Sequence, residues 1–316
     1  MSRYLIRRLL GTIPLLFGVA ALSFIFMHLA PGGPTTLFAK NARMSAAQLA
    51  AINHNMGLDK PLYQQFVIWI GNVARGNLGT SYTQYRPVWN VVWAVFPNTV
   101  YLMLAGLTLS LVCALVFGVL AAVRPYGLFD SITSFVSYFG LAMPVFWFGL
   151  MLQILFAVKL GWLPSANMHN STGGNWLDVP KHLVLPAFTI AIGSIASWSR
   201  YVRSSTLEAL GMDYVRTARA KGVQERAVLM GHVLRNSLVP FVTVIAIDIP
   251  LYLTGAVLTE TVFSWPGMGR LFFDSLTKRD YPVLMGVLML GAVLIVIGNL
   301  IADIAYGVLD PRIKLK

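Results

Sequence analysis

Six apolar runs, each long enough to cross a hydrocarbon core of about 30 Å, divide the chain. They are Leu9 to Ala30, Val100 to Val123, Ile132 to Val158, Leu183 to Ser199, Ser237 to Glu260 and Tyr281 to Ala302. The polar connections between them are very unequal. The long one, about residues 31 to 96, has a helical pattern of its own. Ser45 with Gln48 forms a capping box and Gly57 stops that helix. Pro61 opens a second helix, in which Leu62, Phe66, Ile70 and Val73 recur at helical spacing until Gly76. Such helices either cap a membrane bundle or present a docking surface outside it.

Composition agrees with six spans. Residues of the 316-residue chain are 57% hydrophobic and 11% charged, against about a quarter charged in a soluble domain. The mean hydropathy is +0.69. A net charge of +12 suggests nucleic acid for a soluble chain, but in a polytopic one it reads as Lys and Arg held on the cytoplasmic side. Cys113 is the single cysteine, which excludes a disulfide framework, a CxxC motif and a thiolate metal site. The first run, led by Arg3, Arg7 and Arg8, is too long for a signal-peptide core. The cleavage site it would offer, His28-Leu29-Ala30 before Pro31, has a large first residue, so an uncleaved first span is expected.

Placing the N-terminus in the cytoplasm puts Arg3, Arg7, Arg8, Arg124, Arg200, Arg203, Arg216, Arg219, Lys221, Arg226, Arg235, Arg312, Lys314 and Lys316 inside. Half of the ten remaining basic residues (Lys40, Arg43, Lys60, Arg75, Arg86) sit in the long loop, where charge has little influence on topology. Both termini are therefore expected to be cytoplasmic. The expected organisation is an N-terminal tail with the first span (1–30), an extracytoplasmic helical loop (31–96), a five-helix core (97–308) containing a cytoplasmic loop (204–236), and a cytoplasmic tail (309–316).

Catalytic signatures are missing. The sequence has no GxxxxGK[ST], no HExxH and no GxSxG, and His28, His54, His169, His182 and His232 lack ligand spacing. Acidic groups at membrane depth are the remaining candidates. Asp248 falls inside the fifth run, Glu260 near its outer end and Asp303 at the inner end of the sixth. An ionised group in hydrocarbon is costly, so Asp248 must face protein or water. Asp248, Tyr252, Gly255 and Thr259 share one broad helical face. That face lines a translocation path or a subunit contact, or else Asp248 is a satisfied structural carboxylate; for Asp303, pairing with nearby basic groups is expected. A secondary transporter using Asp248 as a proton carrier, and a membrane-embedded enzyme or scaffold that moves no solute, are the alternatives.

The cytoplasmic stretch DYVRTARAKGVQERAVLMGHVLRNSLVP (213–240) holds five basic and two acidic residues. Arg216 and Arg219 lie on one face of a short helix, Gly222 breaks it, and Val223, Ala227, Met230 and Leu234 mark the apolar face of a second. From the residues alone, this is either a basic amphipathic helix on anionic lipid or a docking helix for a cytoplasmic partner.

Gly222, the small pair Thr217 and Ala218 before it, and His232-Val233-Leu234-Arg235 after it form a pattern similar to the EAA loop of ABC importer permeases, E-A-A-x3-G-x9-I-x-L-P. Arg216 stands in place of the Glu, Thr217 in place of the first Ala and Arg235 in place of the Pro. DYVRTARAKG and HVLRNSLVP resemble the version carried by the dipeptide/oligopeptide/nickel permease family. RRLLGTIPLLFG at the start, LAPGGP (29–34), MGLDKPLYQQF (56–66), GNLGTSY (76–82), LTETVFSWPGMGRL (258–271), KRDYPV (278–283) and DPRI (310–313) extend the resemblance over nearly the whole chain.

The resemblance implies an all-α permease with six transmembrane helices and the type I ABC importer fold, in the cytoplasmic membrane of a prokaryote. Its implied partners are a second related permease, two cytoplasmic ATPases that use ATP and Mg, and an extracytoplasmic substrate-binding protein; the chain itself holds no cofactor. The implied ATPase-coupling residues are Arg216, Thr217, Ala218, Arg219, Lys221, Gly222, Arg226, His232 and Arg235. Asp248, Tyr252, Thr259 and Glu260 are implied for the path or outer gate. Asn77, Leu78, Tyr82, Trp265 and Arg270 are implied for binding-protein docking. The spans contain no His or Met cage for a metal, so dipeptides and oligopeptides lead over nickel complexes or sugars as cargo.

Overall fold

The structure, a computed structural model, describes residues 2–29, 47, 54, 57–170 and 177–309. The Ser45–Gln48 capping box, Pro31 to Pro34, the 310–313 motif and the basic tail residues lie outside the described residues. Helices account for most of what is described: α1 (Ser2–Leu29), α2 (Leu62–Ala74), α3 (Val88–Val123), α4 (Leu128–Ala142), α5 (Val145–Leu152), α6 (Asp178–Leu210), α7 (Asp213–Ala220), α8 (Glu225–Val228), α9 (Leu234–Val262), α10 (Met268–Lys278) and α11 (Tyr281–Leu309). Two π-helical segments, Gln153–Lys159 and Leu229–Val233, follow α5 and α8. Among the described residues there is no strand, only an isolated bridge between Thr80 and Pro87.

Among the described residues, four helices are long and apolar enough to span a membrane: Leu10–Leu29, Val88–Val123, Asp178–Leu210 and Tyr281–Ile301. The number rises to six if each of two bent pairs is one span. The third expected span, Ile132 to Val158, is not straight. It is the pair Leu128–Ala142 and Val145–Lys159, bent by 111°. Pro144 disfavours helical geometry at the residue before it, and Met143 accordingly takes an extended conformation (φ −84°, ψ 134°). The fourth span begins earlier and ends later than hydropathy alone suggests, because helix α6 carries polar residues at both ends.

The chain divides into two compact units. One comprises described residues up to Asn98 together with Pro266–Ile297. In it Phe66 of α2 meets Phe17 and Phe24 of α1 edge to face, with ring centroids 5.6 and 5.3 Å apart. His28 and the Gln65 side chain, 3.1 Å apart, reinforce that contact. Helix α2 starts after Pro61 and stops before Gly76 (φ +81°), as its pattern predicts. A second apolar cluster joins Val88, Val91 and Val92 to Met268, Val283 and Val287.

The other unit comprises described residues within Thr99–Trp265 and from Gly298 onward. Helix α6 is its axis, touching α4, α5 and α9. Small residues let the neighbouring backbones approach. A Cβ added at Gly106 of α3 would lie 2.3 Å from Ile190, one at Gly118 would lie 2.7 Å from the Ser199 carbonyl, and one at Gly140 of α4 would lie 3.3 Å from Ile192. Gly106, Ser110, Ala114 and Gly118 recur every four residues. Close small-residue contact of this kind replaces the hydrophobic drive that helices lack between themselves in lipid.

Candidate functional site

Three clusters contain the residues singled out by sequence, each within one unit. The first is the loop after α6. Helix α7 carries Asp213 in its first turn and Arg219 in its last, matching charge to the helix dipole. Gly222 then turns the chain at φ +78°, with nothing within 4 Å of where a Cβ would sit. Arg219 forks onto Glu225 across that turn, with Nε–Oε2 at 3.0 Å and Nη2–Oε1 at 2.5 Å. The hydrogen bonds from the guanidinium to Glu225 raise the pKa of Arg219 further. Val215, Ala218, Val228 and Val233 bury an apolar cluster against Ala209, with Leu210 at its edge, so the loop is seated on the end of α6.

The expected apolar face of the second loop helix is corrected here. Val223, Ala227 and Met230 are exposed, and the buried positions are Val228 and Val233. The π-turn at Leu229–Val233 is the reason: a wider turn stacks residues five apart, and a 3.6-residue period selects the wrong stripe. Nor is that helix separate, since α8, the π-turn and α9 follow one another without a break. Arg216, Thr217, Lys221, Arg226, His232 and Arg235 are exposed, beside Met212, Tyr214, Val223 and Met230. Ala218 points inward.

The second cluster lies inside the unit built on α6. Asp248 Oδ2 accepts a hydrogen bond from the indole Nε1 of the fully buried Trp198, at 2.7 Å. Tyr252 is buried and donates to Ser110 Oγ at 2.6 Å, and its ring lies 6.2 Å from Trp198. Ser110 passes the bond to the Gly106 carbonyl at 2.8 Å. Thr259 and Glu260 are fully buried. Thr99 donates to Glu260 at 2.7 Å, and Thr259 Oγ1 has no hydrogen-bond partner among the described residues. In this conformation the four residues proposed for the path are therefore packed among helices. Trp265 is also a core side chain, fully buried with Leu102, Tyr252 and Ala256, and offers no surface for docking.

The third cluster is the turn before α3. Asn77 Oδ1 accepts the Gly79 N–H at 2.9 Å, closing an Asx turn, and Leu78 packs against the valines of α3. The turn is held by Asp280, which is 1% exposed. Its carboxylate accepts from Ser81 Oγ (2.5 Å), Thr83 Oγ1 (2.6 Å) and the backbone N–H groups of Tyr82 and Thr83 (both 3.1 Å). Burial first, and then the Asp280 charge, push the Tyr82 phenol up to about 12, so it stays neutral. Arg270, on α10, lies 3.9 Å from Asp274. A cavity of about 720 Å³ beside this turn is lined by Trp69, Asn72, Asn77, Tyr82, Tyr85 and Tyr281, among others. Among the described residues, no group of three His, Cys, Asp or Glu side chains is arranged to hold a metal.

Sequence reasoning missed Asp280, Trp198 and a part-buried ion pair, Asp130–Arg203. Asp280 sits in the KRDYPV segment, immediately before α11 and Pro282 of its first turn, a readable signal for a helix start though not for the Ser81 and Thr83 contacts. The partners of Asp130 and Asp248 lie 73 and 50 residues away in sequence, and no local pattern pairs them.

The family described as "Binding-protein-dependent transport system inner membrane component" matches residues 114–315, and its N-terminal counterpart matches residues 1–103. The chain is 45% identical to the oligopeptide transport system permease protein AppB of Bacillus subtilis, over 99% of this chain and all of that protein. It is 41% identical to the di/tripeptide transport system permease protein DppB of Pseudomonas aeruginosa, over 99% of each chain. With the dipeptide transport system permease protein DppB of Escherichia coli K12 it shares 38% identity over both full lengths. Among solved structures, an inward-facing form of the MetNI methionine ABC transporter superposes with a TM-score of 0.54 at 16% identity, covering 67% of this chain and 93% of that one.

Proposed function

Because the chain belongs to the binding-protein-dependent transport system inner membrane component family, we propose that it is the peptide-conducting permease subunit of an ATP-driven importer. The observation that carries this is end-to-end identity of 38–45% with three permeases named for dipeptide, di/tripeptide or oligopeptide transport. Dipeptides and oligopeptides are its cargo.

The loop after α6 suits such a role. Its apolar side is anchored on the protein, and its outer side offers Arg216, Lys221 and Arg226 beside Met212, Tyr214 and Met230. An anchored base with an exposed basic and apolar top is the form a docking element needs. In this reading the top seats in a cytoplasmic ATPase, a second permease completes the path, and a substrate-binding protein delivers peptide from the far side. The chain binds no nucleotide; ATP and Mg belong to the partner ATPases. The six spans leave both termini and residues 211–236 in the cytoplasm of a prokaryotic cell, and the 77–87 turn outside.

The test is uptake of radiolabelled dialanine and trialanine by proteoliposomes containing the assembled complex and its binding protein. Uptake that requires internal ATP is expected. Uptake driven by a pH gradient without ATP, and abolished by Asp248→Asn, would replace this reading with a proton-coupled one.

A further inference from the structure

The end of α6 that carries the loop is also fastened to α4. Arg203 lies two turns before the α6 terminus, and its guanidinium forks onto Asp130 in the first turn of α4, with Nε–Oδ1 at 2.5 Å and Nη2–Oδ2 at 2.6 Å. Asp130 is 5% exposed at its side chain and Arg203 25%. Oδ2 also accepts the Tyr126 N–H at 2.8 Å, which fixes the tight connection between α3 and α4, where Tyr126 itself takes φ +61°. A planar fork onto a carboxylate holds orientation as well as distance, and the Asp130 carboxylate is shielded from water while Arg203 is half-buried.

The other contacts between these two helices are weaker or less directional. Above the pair, Ser137 faces Ser199 at 3.3 Å, Gly140 meets Ile192 and Ala196, and the Arg200 guanidinium lies 4.3 Å from the centre of the exposed Tyr138 ring. The first two are small surfaces, and a cation over an exposed ring contributes about 0.5–1 kcal/mol without the two-point geometry of a fork. Below the pair, α6 is joined to the loop by the Ala209–Val215–Val233 cluster and to the first turn of α9 by Ser205 Oγ donating to the Ser237 carbonyl at 2.9 Å. Loop, α6 and the start of α9 therefore move together at this end. The fork is the directional contact that makes α4 follow.

We propose that Arg203 and Asp130 are positioning residues that transmit displacement of the 211–236 loop through α6 to α4, and so keep ATP hydrolysis and peptide movement in step. This rests on the importer reading above.

The experiment uses the complete complex in proteoliposomes and measures both radiolabelled trialanine uptake and ATP hydrolysis for the unaltered chain, Asp130→Asn, Arg203→Gln, the double variant and Arg203→Lys. Each neutralising substitution is expected to raise the ATP consumed per peptide by about fivefold or more. The double variant should be no worse than either single, because one contact is lost only once. An unchanged ratio in the singles, effects that multiply in the double, or uptake and hydrolysis falling in parallel would each overturn the proposal. If the neutral variants do not assemble, Arg203→Lys decides: it keeps the charge without the fork, so a raised ratio supports the proposal and an unaltered ratio rejects it. Failure of the unaltered complex to take up peptide with ATP would sink the importer reading itself, an outcome separate from any of these.

Discussion

Gly222 and Asp280 show two ways in which one residue governs a turn. At Gly222 the backbone sits at φ +78° with open space around the missing Cβ, so substitution meets strain and no collision. A left-handed conformation costs an L-residue about 1–2 kcal/mol. Gly222→Ala should therefore reduce peptide uptake up to about tenfold while leaving ATP hydrolysis largely intact. Gly222→Asn should do less harm, because Asn enters that region more readily; uptake and hydrolysis measured side by side check both. Asp280 works by hydrogen bonding. Replacing it with Ala strands two hydroxyls and two N–H groups, and a loss of about 3 kcal/mol follows even if water recovers part of them. Asp280→Asn keeps one acceptor oxygen and should fall between. The apparent melting temperature of the purified chain in detergent should rank Asp above Asn above Ala. The sequence disclosed the glycine through its place between two helical patterns. It hid the aspartate's role because Ser81 and Thr83 lie nearly 200 residues away.

Elements were legible to the degree that each obeys a single period. The first, second and sixth apolar runs correspond to α1, α3 and α11, with α1 continuing through Pro14. The third failed at Pro144, a breaker in plain view whose 111° bend depends on how the two halves pack. The loop helix failed for a subtler reason: one extra residue per turn at Leu229–Val233 moves the buried stripe to Val228 and Val233. That register is testable by length. Deleting Gly231 should close the wide turn to ordinary α geometry and leave Val228 and Val233 four residues apart, still on one face, so most ATP-dependent uptake should survive. An alanine inserted after Val233 should instead turn the loop by about 100° about the axis of α9, separate Val215 and Ala218 from their partners and abolish uptake. Gly231→Ala keeps the residue count and adds only a Cβ in open space. It should retain most of the uptake, which separates register from side-chain chemistry.

At the scale of the molecule, charge asymmetry and site geometry make the same claim about sides. Basic residues crowd the 211–236 loop, whose outer face is basic and apolar, while the 77–87 turn is polar, closed by Asp280 and almost free of charge. A chain that crosses the membrane between Val88 and Val123, then through the bent α4–α5 pair, then through α6, must put that turn and that loop on opposite sides if each is one span. If the bent pair instead dips in and returns, the two fall on the same side. Single cysteines decide between the two. Gln84→Cys and Ala220→Cys, both at exposed positions, would be placed in a chain with Cys113→Ser and treated with a membrane-impermeant maleimide. Right-side-out vesicles should label residue 84 and spare 220, and inverted vesicles should do the reverse. Labelling of both from one face would make the bent pair a re-entrant segment and would put the loop and the turn on the same side of the membrane, which the importer reading does not allow.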